Sequence, residues 1–421
     1  MRILVVGGGG REHAICRALA TGRERPDILI APGNPGTKTF GLNLDVRADS
    51  VVKLASVAKT ERVDLVVPGP ETPLALGLAD RLGKLGIACC GPSAAAARLE
   101  SSKAFTRELC SGLGVPQPRF VVVTQAVDLP ASLRKFEHPP VVKADGLAAG
   151  KGVVVPETMA EAEKAATDFL SGTLGTAGRT VVLEERLYGT EASLFYAVSG
   201  TSALALPDAR DHKRLLDGDH GPNTGGMGAI SPNPAIDKTL ATTVQRHIVA
   251  PVLRALADSK TPYHGFLYVG IILTPQGPSL LEFNVRLGDP EAQAILPRLA
   301  PGNFAEICCA IADDRLGDVL VEIDPRPTCA VVLATAGYPV KPRLGVPIAR
   351  QAYLENEDRW LDHAGTRERD GRLVTAGGRV ACIVARGEDG PEAHERAYQG
   401  VEAVHFDGMQ VRRDIGITKD S

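Results

Sequence analysis

The segment LLEFNVRLGDPE, Leu280–Glu291, gathers side chains that could do chemistry together. Side chains alternate across a strand, so Glu282, Asn284 and Arg286 project to one side. The carboxylate and the amide oxygen are hard donors that suit Mg²⁺. The guanidinium suits a phosphate or a carboxylate. Asp289 and Glu291 follow at once. The opposite face, Leu281, Phe283 and Val285, is apolar, as in a core strand. Packing alone does not account for a polar row on such a strand; a solvated face with an incidental ion pair is the plain alternative.

A second constellation is PVVKADGLAAGKGVVV, Pro140–Val155, which reads strand, glycine loop, strand. It is not a Walker loop, because Asp145 stands where the first glycine belongs and Gly152 follows Lys151 where Ser or Thr is required. A hairpin with Gly146, Gly150 and Gly152 can cover a triphosphate, with Lys143 and Lys151 supplying charge. In VVLEERLYGTEAS, the backbone around Glu185 and Leu187 could meet an adenine edge, and Glu191 could take ribose hydroxyls. Asp208–Pro232 reads as a long irregular loop rich in glycine and charge, and loops of that length are usually functional.

The glycine run after the first strand is not a dinucleotide fingerprint. Counted from Gly7, Glu12 occupies the third small position, and the next strand ends in Ala31-Pro32 without the acid that would hold a ribose. Its loop, Gly9 to Glu12, and the following one, Gly33, Asn34, Pro35 and Gly36, offer backbone donors at one sheet edge, with Arg11 nearby. Backbone donors at a helix start favour a phosphate; a tight strand-to-helix turn is the structural alternative. His13, His212, His220 and His264 show no ligand spacing.

These residues need elements to hold them. Residues 1–102 alternate continuous apolar strands with helices, which predicts a Rossmann-like parallel sheet. Residues 103–312 read as α+β, with a small lid over about 120–190 that includes ASLFYAVSG as a short strand. Helix KTLATTVQRHIVAPVLRAL and hairpin GFLYVGIILT–PQGP–SLLEFNVR follow. IDPRPT is a linker, and 325–421 forms a small α+β domain. The fold class is thus multidomain α/β and α+β.

The chain has 421 residues, 44% hydrophobic and 23% charged, with a net charge of −3. That length sustains several cores, and the charge gives no footprint for nucleic acid or an acidic membrane surface. No apolar run approaches the roughly 18 residues of a membrane helix. The 8 cysteines form no CxxC and no disulfide framework, which fits free thiols in a reducing cytoplasm.

MRILVVGGGGREHAI, APGNPGT, VVPGPETPLALGLAD, KADGLAAGKGVVV, DHKRLLDGDHGPNTGGMGAISP and EFNVRLGDPE occur in this order. With HAGT, VTAGGRV and RRDIG nearer the C-terminus, the chain resembles the phosphoribosylamine–glycine ligase family of the ATP-grasp superfamily over its whole length. The resemblance implies an ATP-grasp core with a mobile lid, and ligation of glycine to 5-phosphoribosylamine through glycyl phosphate. ATP and Mg²⁺ or Mn²⁺ are the implied cofactors, and a monomer or weak dimer the expected assembly. Matching positions make Lys103, Lys143 and Lys151 phosphate contacts, and Glu185, Leu187 and Glu191 adenosine contacts. Glu282 and Asn284 would bind metal. Arg286, Asp289, Asp211, Lys213 and the loop Asn223, Thr224, Gly225, Gly226 would meet the acyl phosphate or the substrates. Leu287, where the family more often has Phe, should alter packing and not chemistry, and Thr72, where Ala is familiar, puts nothing essential in doubt.

Other readings are a different carboxylate–amine ligase of the superfamily, a dinucleotide-dependent oxidoreductase, or a non-catalytic ATP sensor. DHGPNTGGMG argues against the first, the absent fingerprint against the second, and the retained Glu282, Asn284 and Lys143 against the third.

Overall fold

The computed structural model describes residues 1–22, 24–148 and 152–417. The first sheet is parallel, in the order β3-β2-β1-β4-β5. Its strands are β1 (Arg2–Gly7), β2 (Asp27–Pro32), β3 (Leu42–Asn43), β4 (Leu65–Pro68) and β5 (Ala88–Cys89). β1 is apolar without alternation because both faces are covered. Ile3 and Val5 pack with Ile15 and Leu19 of α1 (Gly10–Leu19). Leu4 and Val6 pack with Leu54 of α2 (Val51–Thr60) and with Leu78 and Leu82, which lie beyond α3 (Glu71–Ala75) on α4 (Leu78–Gly83). Burial on both sides of a parallel strand is what such a run encodes.

Short helix α5 (Arg98–Ser101) and α6 (Lys103–Gly112) lead to a four-stranded sheet, β6-β9-β7-β8. Its strands are β6 (Phe120–Val123), β7 (Val141–Ala144), β8 (Val153–Val154) and β9 (Val181–Glu184). Val142, Ala144, Val181 and Leu183 face α7 (Leu129–Leu133) and α8 (Met159–Leu170). Strand alternation therefore turns Lys143 and Glu184 to the other face.

ASLFYAVSG does not belong to this small sheet. It lies in β10 (Thr190–Gly200), 11 residues long, which pairs with β11 (Ser202–Ala205) and leads the next sheet. Nor is Asp208–Pro232 irregular: it contains β12 (Arg210–Asp211), the hairpin β13 (Arg214–Leu216)–β14 (His220–Asn223), and β15 (Gly228–Ser231). Its short strands were hidden by glycine and charge, and pairing partners far along the chain supply the order that local propensity lacks. The predicted long helix is α9 (Lys238–Val244), a π-helical turn over Gln245–Val249, and α10 (Ala250–Asp258). Pro251 cannot donate to the ladder, and the wide turn accommodates that loss.

The predicted hairpin is β16 (Tyr263–Thr274) and β17 (Gly277–Asn284), completing the order β11-β10-β16-β17. β10 and β16 send Leu194, Tyr196, Leu267 and Val269 toward α10, and Phe195, Phe266 and Tyr268 to the opposite core. That second core includes α12 (Asn303–Ala312), which follows α11 (Glu291–Ile295).

The C-terminal region supplies β18 (Thr328–Ala334), β19 (Ala349–Arg350), β20 (Arg359–His363), the hairpin β21 (Thr366–Arg369)–β22 (Arg372–Thr375), β23 (Arg379–Arg386), α13 (Gly390–Val401) and β24 (Val404–His405). Its main sheet is β12-β15-β18-β23-β20. Two of those strands come from the 208–232 segment, with β15 pairing antiparallel to β18 from Gly228↔Val331 to Ser231↔Thr328. One face packs on α13, and the other packs Ala330, Val332 and Trp360 with Ala294 of α11.

Candidate functional site

A cleft beside β10, β12, β16 and β17 is lined by Glu191, Asp211, Lys213, Tyr268, Leu281 and Glu282. β16 and β17 set its floor in a specific way. Gly270 pairs with Glu282 and Ile271 with Leu280, so Leu281 is an extra residue, a β-bulge. The bulge breaks strict alternation, and Leu281 is only half-buried. Its carbonyl accepts from Arg107 Nη2 at 2.6 Å and Lys143 Nζ at 3.4 Å. Beyond the bulge the predicted row holds: Asn284 Nδ2 donates to Glu282 Oε1 at 3.3 Å, and Arg286 Nη2 to Asn284 Oδ1 at 3.2 Å.

Lys143 reaches this point by pairing with Glu184 at 2.8 Å. Glu184 is also clasped by Arg107, with Nε–Oε1 at 2.8 Å and Nη2–Oε2 at 2.9 Å. Burial pushes Glu184 up, but Lys143 and Arg107 outweigh it and keep it ionised. Burial draws Lys143 below its usual range against the pull of Glu184. Asp145, just past β7, caps the start of α6 by accepting from Ala104 N at 3.0 Å and Ser102 Oγ at 3.2 Å. That contact brings Lys103 to the same cleft as Lys143. Burial alone would raise Glu282; Lys213, Lys143 and Lys103 instead hold it at about 2. A carboxylate so placed is an anion at every working pH, ready for a cation. Glu282 and Asn284 are two oxygen donors, which is the protein share Mg²⁺ commonly takes when nucleotide phosphates and water complete its shell.

Glu191 pairs with Lys213 at 2.8 Å on the cleft rim. The Glu185 N–H is bonded to the Arg119 carbonyl at 2.8 Å, so its donor is taken; the Leu187 N–H has no partner among the described residues. Lys151 and Gly150 lie outside the described residues.

Arg286 does not point into free space. It pairs with Glu71 Oε2 at 3.2 Å, Glu100 Oε1 at 3.0 Å and the Leu287 carbonyl at 3.3 Å. It thereby ties the end of β17 to the first domain. Burial pushes Glu100 up to about 7 although Arg286 opposes this.

At the ends of β1 and β2 the geometry corrects the expectation of open donor loops. Arg11 is buried, with Nε on Glu12 Oε1 at 2.8 Å and Nη1 on the Leu287 carbonyl at 3.0 Å. The Glu12 carboxylate takes the Gly9 N–H at 2.5 Å. A Cβ at Gly69 would lie 2.0 Å from Glu12 Oε1, and one at Gly7 2.5 Å from Glu12 Cγ, so these glycines make room for a buried acid. The Gly33 N–H bonds to the Gly7 carbonyl at 3.0 Å. The Asn34 side chain spans Gly8 O, His363 O and the N–H groups of Gly36 and Thr37. The two loops brace each other, since a Cβ at Gly8 would strike the Gly33 carbonyl at 2.5 Å. What remains for an anion is the first turn of α1, whose Gly10, Arg11 and Glu12 N–H groups have no partner among the described residues.

The third element of the site is a junction of all three regions. Asp289 Oδ2 pairs with Arg379 Nη2 at 3.1 Å, and Asp289 Oδ1 accepts from Gln293 at 2.8 Å. A Cβ added to Gly9 or Gly10 would lie 3.6–3.7 Å from that carboxylate. Burial raises Asp289, but Arg379 and Arg11 bring it below the usual carboxylate range. Asp211, whose Oδ1 is buried without a hydrogen-bond partner, is pushed up by burial and by Glu291. Gly226 sits on it, 2.8 Å from that oxygen to an added Cβ. Thr224 braces its own turn, donating to the Lys213 carbonyl at 2.8 Å and accepting from Gly226 at 3.0 Å, while Asn223 is exposed. His13 stacks on His363 at 5.7 Å behind the loops.

Sequence reasoning missed Arg107, Glu184, Glu71 and Arg379. Arg107 lies four residues after Lys103, on the same helix face, and Glu184 ends a strand whose odd positions pack inward; both signals were present. Arg379 lies within VTAGGRV, but that motif gave it no role in the site. A surface cavity of about 580 Å³ beside the Val115–Val121 connection has no carboxylate in its lining and stands apart from this chemistry.

A parallel N-terminal sheet, a lid-like sheet facing a β10–β17 sheet, and lysines converging on a Glu/Asn pair define an ATP-grasp ligase. Models of the phosphoribosylglycinamide synthetase N domain, ATP-grasp (A) domain and C domain match residues 1–100, 101–292 and 328–418. The chain belongs to the phosphoribosylglycinamide synthetase family. It is 41% identical over 422 residues to a phosphoribosylamine–glycine ligase of Vibrio parahaemolyticus, covering 99% of this chain and 98% of that one. It is 44% identical to one from Xylella fastidiosa over 421 residues, 99% and 97% of the two chains. The crystal structure of the Thermotoga maritima phosphoribosylamine–glycine ligase matches with a TM-score of 0.86 at 34% identity, covering 99% of this chain and 100% of that one.

Proposed function

We propose that this protein joins glycine to 5-phosphoribosylamine at the expense of ATP, giving glycinamide ribonucleotide, ADP and phosphate. The observation that carries the reading is Glu282, held ionised beside Asn284 by Lys213, Lys143 and Lys103 where Lys143 of the small sheet reaches β17. A glycine carboxylate is a poor electrophile because its leaving oxide is too basic. Its oxygen attacks the γ-phosphorus, ADP departs, and the carboxyl becomes glycyl phosphate. The amine nitrogen then forms a bond to the carbonyl carbon, the C–O bond to phosphate breaks, and the nitrogen gives up a proton. The protein's part is positioning and charge compensation. Lys103 and Lys143 face the phosphates, and Lys151 would join them by its matching position; Glu185, Leu187 and Glu191 serve the adenosine. A divalent cation, Mg²⁺ or Mn²⁺, held by Glu282 and Asn284 would neutralise phosphate charge.

In this reading Asp211, Lys213, Asn223, Thr224, Gly225, Gly226 and Asp289 form the substrate end, joined by Gly9–Glu12 and Gly33–Gly36. Arg286 acts there by orienting Asn284, since its partners are protein carboxylates. The domains are 1–102, 103–312 with a lid over about 120–190, and 325–421. The cytoplasm is the proposed location, supported by cysteines that are free among the described residues, and the assembly a monomer or weak dimer. No helix of the described residues is long and apolar enough to cross a membrane. The test is Glu282→Ala: a folded variant should lose glycine-dependent ADP release, and near-native turnover would end the assignment.

A further inference from the structure

Arg379 begins β23 on the C-terminal sheet, yet its guanidinium reaches two turns of the substrate end. Nη1 donates to the carbonyls of Gly225 and Asp289, and Nη2 pairs with the Asp289 carboxylate at 3.1 Å. Tyr338, also C-terminal, accepts the Gly225 N–H at 2.9 Å. Both backbone groups of Gly225 are therefore held by residues 113 and 154 positions further along the chain. A Cβ there would sit 3.2 Å from Arg379 Cζ and 3.3 Å from Tyr338 Oη, so the contact is close on both sides. The next residue, Gly226, has φ +108° and packs on Pro290. Two turns far apart in sequence, 224–226 and 289–290, are bridged by this clamp and by that glycine.

We propose that Arg379 is a positioning residue for the substrate half of the ligation, fixing the Thr224–Gly226 turn against the Asp289 turn from the C-terminal domain. Lysine cannot replace it, because one ammonium cannot bond two carbonyls and a carboxylate with the geometry of a planar fork. Its targets are backbone groups of substrate-facing turns and one carboxylate, not core atoms. The ATP end, at Lys143 and Glu282, has its own braces in Arg107 and Glu184. Loss of Arg379 should therefore separate the two ends of the site.

This inference rests on the proposed reaction, and the test keeps the two distinguishable. Dissociation constants for glycinamide ribonucleotide and for a non-hydrolysable ATP analogue are measured by calorimetry on wild type, Arg379→Gln, Arg379→Lys and Tyr338→Phe, with thermal melts of each. Losing charge-assisted bonds should weaken glycinamide ribonucleotide by about tenfold or more in Arg379→Gln, with ATP analogue binding within about twofold of wild type. Arg379→Lys should restore only part, and Tyr338→Phe should weaken the same ligand by a smaller factor. A merely structural residue would lower the melting temperature and leave the ratio of the two constants unchanged, which would overturn the proposal. If Arg379→Gln does not fold, Tyr338→Phe decides, and unchanged glycinamide ribonucleotide binding there overturns it. Wild type that fails to bind glycinamide ribonucleotide would overturn the reaction itself.

Discussion

Glu184 is the residue on which the nucleotide end turns. It is 2% exposed and takes both Arg107 and Lys143. Removing one partner of a buried pair leaves the others uncompensated, at about 3–5 kcal/mol. Glu184→Ala should therefore lower stability by that amount in urea unfolding, and a change below about 1 kcal/mol would show that the cluster is not a buried network. The contrast with Glu282 is instructive. Both carboxylates sit among basic side chains, but Glu184 is bonded on both oxygens by protein, whereas Glu282 has Asn284 as its hydrogen-bonding side chain. The sequence pattern made Glu282, Asn284 and Arg286 legible as a row. It did not reveal the bulge at Leu281, because an extra residue is fixed by the partner strand's register. Nor did it reveal that Arg286 is spent on Glu71 and Glu100, which lie about 200 residues earlier.

Among elements, the small sheet has its own core, with Val142 and Leu183 against Ala162 and Phe169, and joins the rest through Val115–Arg119 and the turn into β10. Elements with separate cores move as units. The β6–β9 sheet should gain hydrogen-exchange protection together when an ATP analogue binds. Protection confined to β7, with β6 and β9 unchanged, would contradict a closing lid. The strands of this sheet were readable from valine runs between turn residues. The membership of β10 was not, since ASLFYAVSG is equally apolar in either sheet and only its pairing with β16 decides. The N-terminal glycines show the same limit: their number was plain, but the buried Glu12 that they accommodate was not.

At the scale of the molecule, the first helix and the C-terminal sheet share a buried interface. His13 lies 3.6 Å from Asp362, Arg17 3.1 Å, and the His363 N–H donates to His13 Nδ1 at 2.9 Å. Burial, with Arg350 and Arg17 nearby, lowers His363 to about 4, and burial lowers His13 as well. A histidine with a lowered folded pKa stabilises fully above its unfolded value near 6.5 and loses that contribution as pH falls toward 4. Asp362, pushed up to about 6 by burial, acts in the opposite sense, leaving two histidines against one acid. This interface should thus contribute less stability as pH falls from 6.5 to 4. His363→Gln should remove about 2 kcal/mol of the difference between pH 7.5 and pH 5. An unchanged pH dependence in that variant would show that His363 titrates normally.

The domain order was legible along the chain, but the sharing of the C-terminal sheet was not. β12 and β15 arrive from residues 210–231, so the linker near 325 separates segments of chain without separating folding units. This arrangement places Arg379, Asp289, Gly10 and Gly225 at one point and gives the ligation three walls. The central claim is that a glycine carboxylate oxygen takes the γ-phosphoryl group before the amine displaces it. Turnover with glycine labelled with ¹⁸O in its carboxylate, ATP and phosphoribosylamine generated in situ tests it most directly, with mass spectrometry of the phosphate released. One ¹⁸O per inorganic phosphate, with glycinamide ribonucleotide formed in equal amount, is the predicted result. Unlabelled phosphate, or ADP release that continues without glycine, would contradict it.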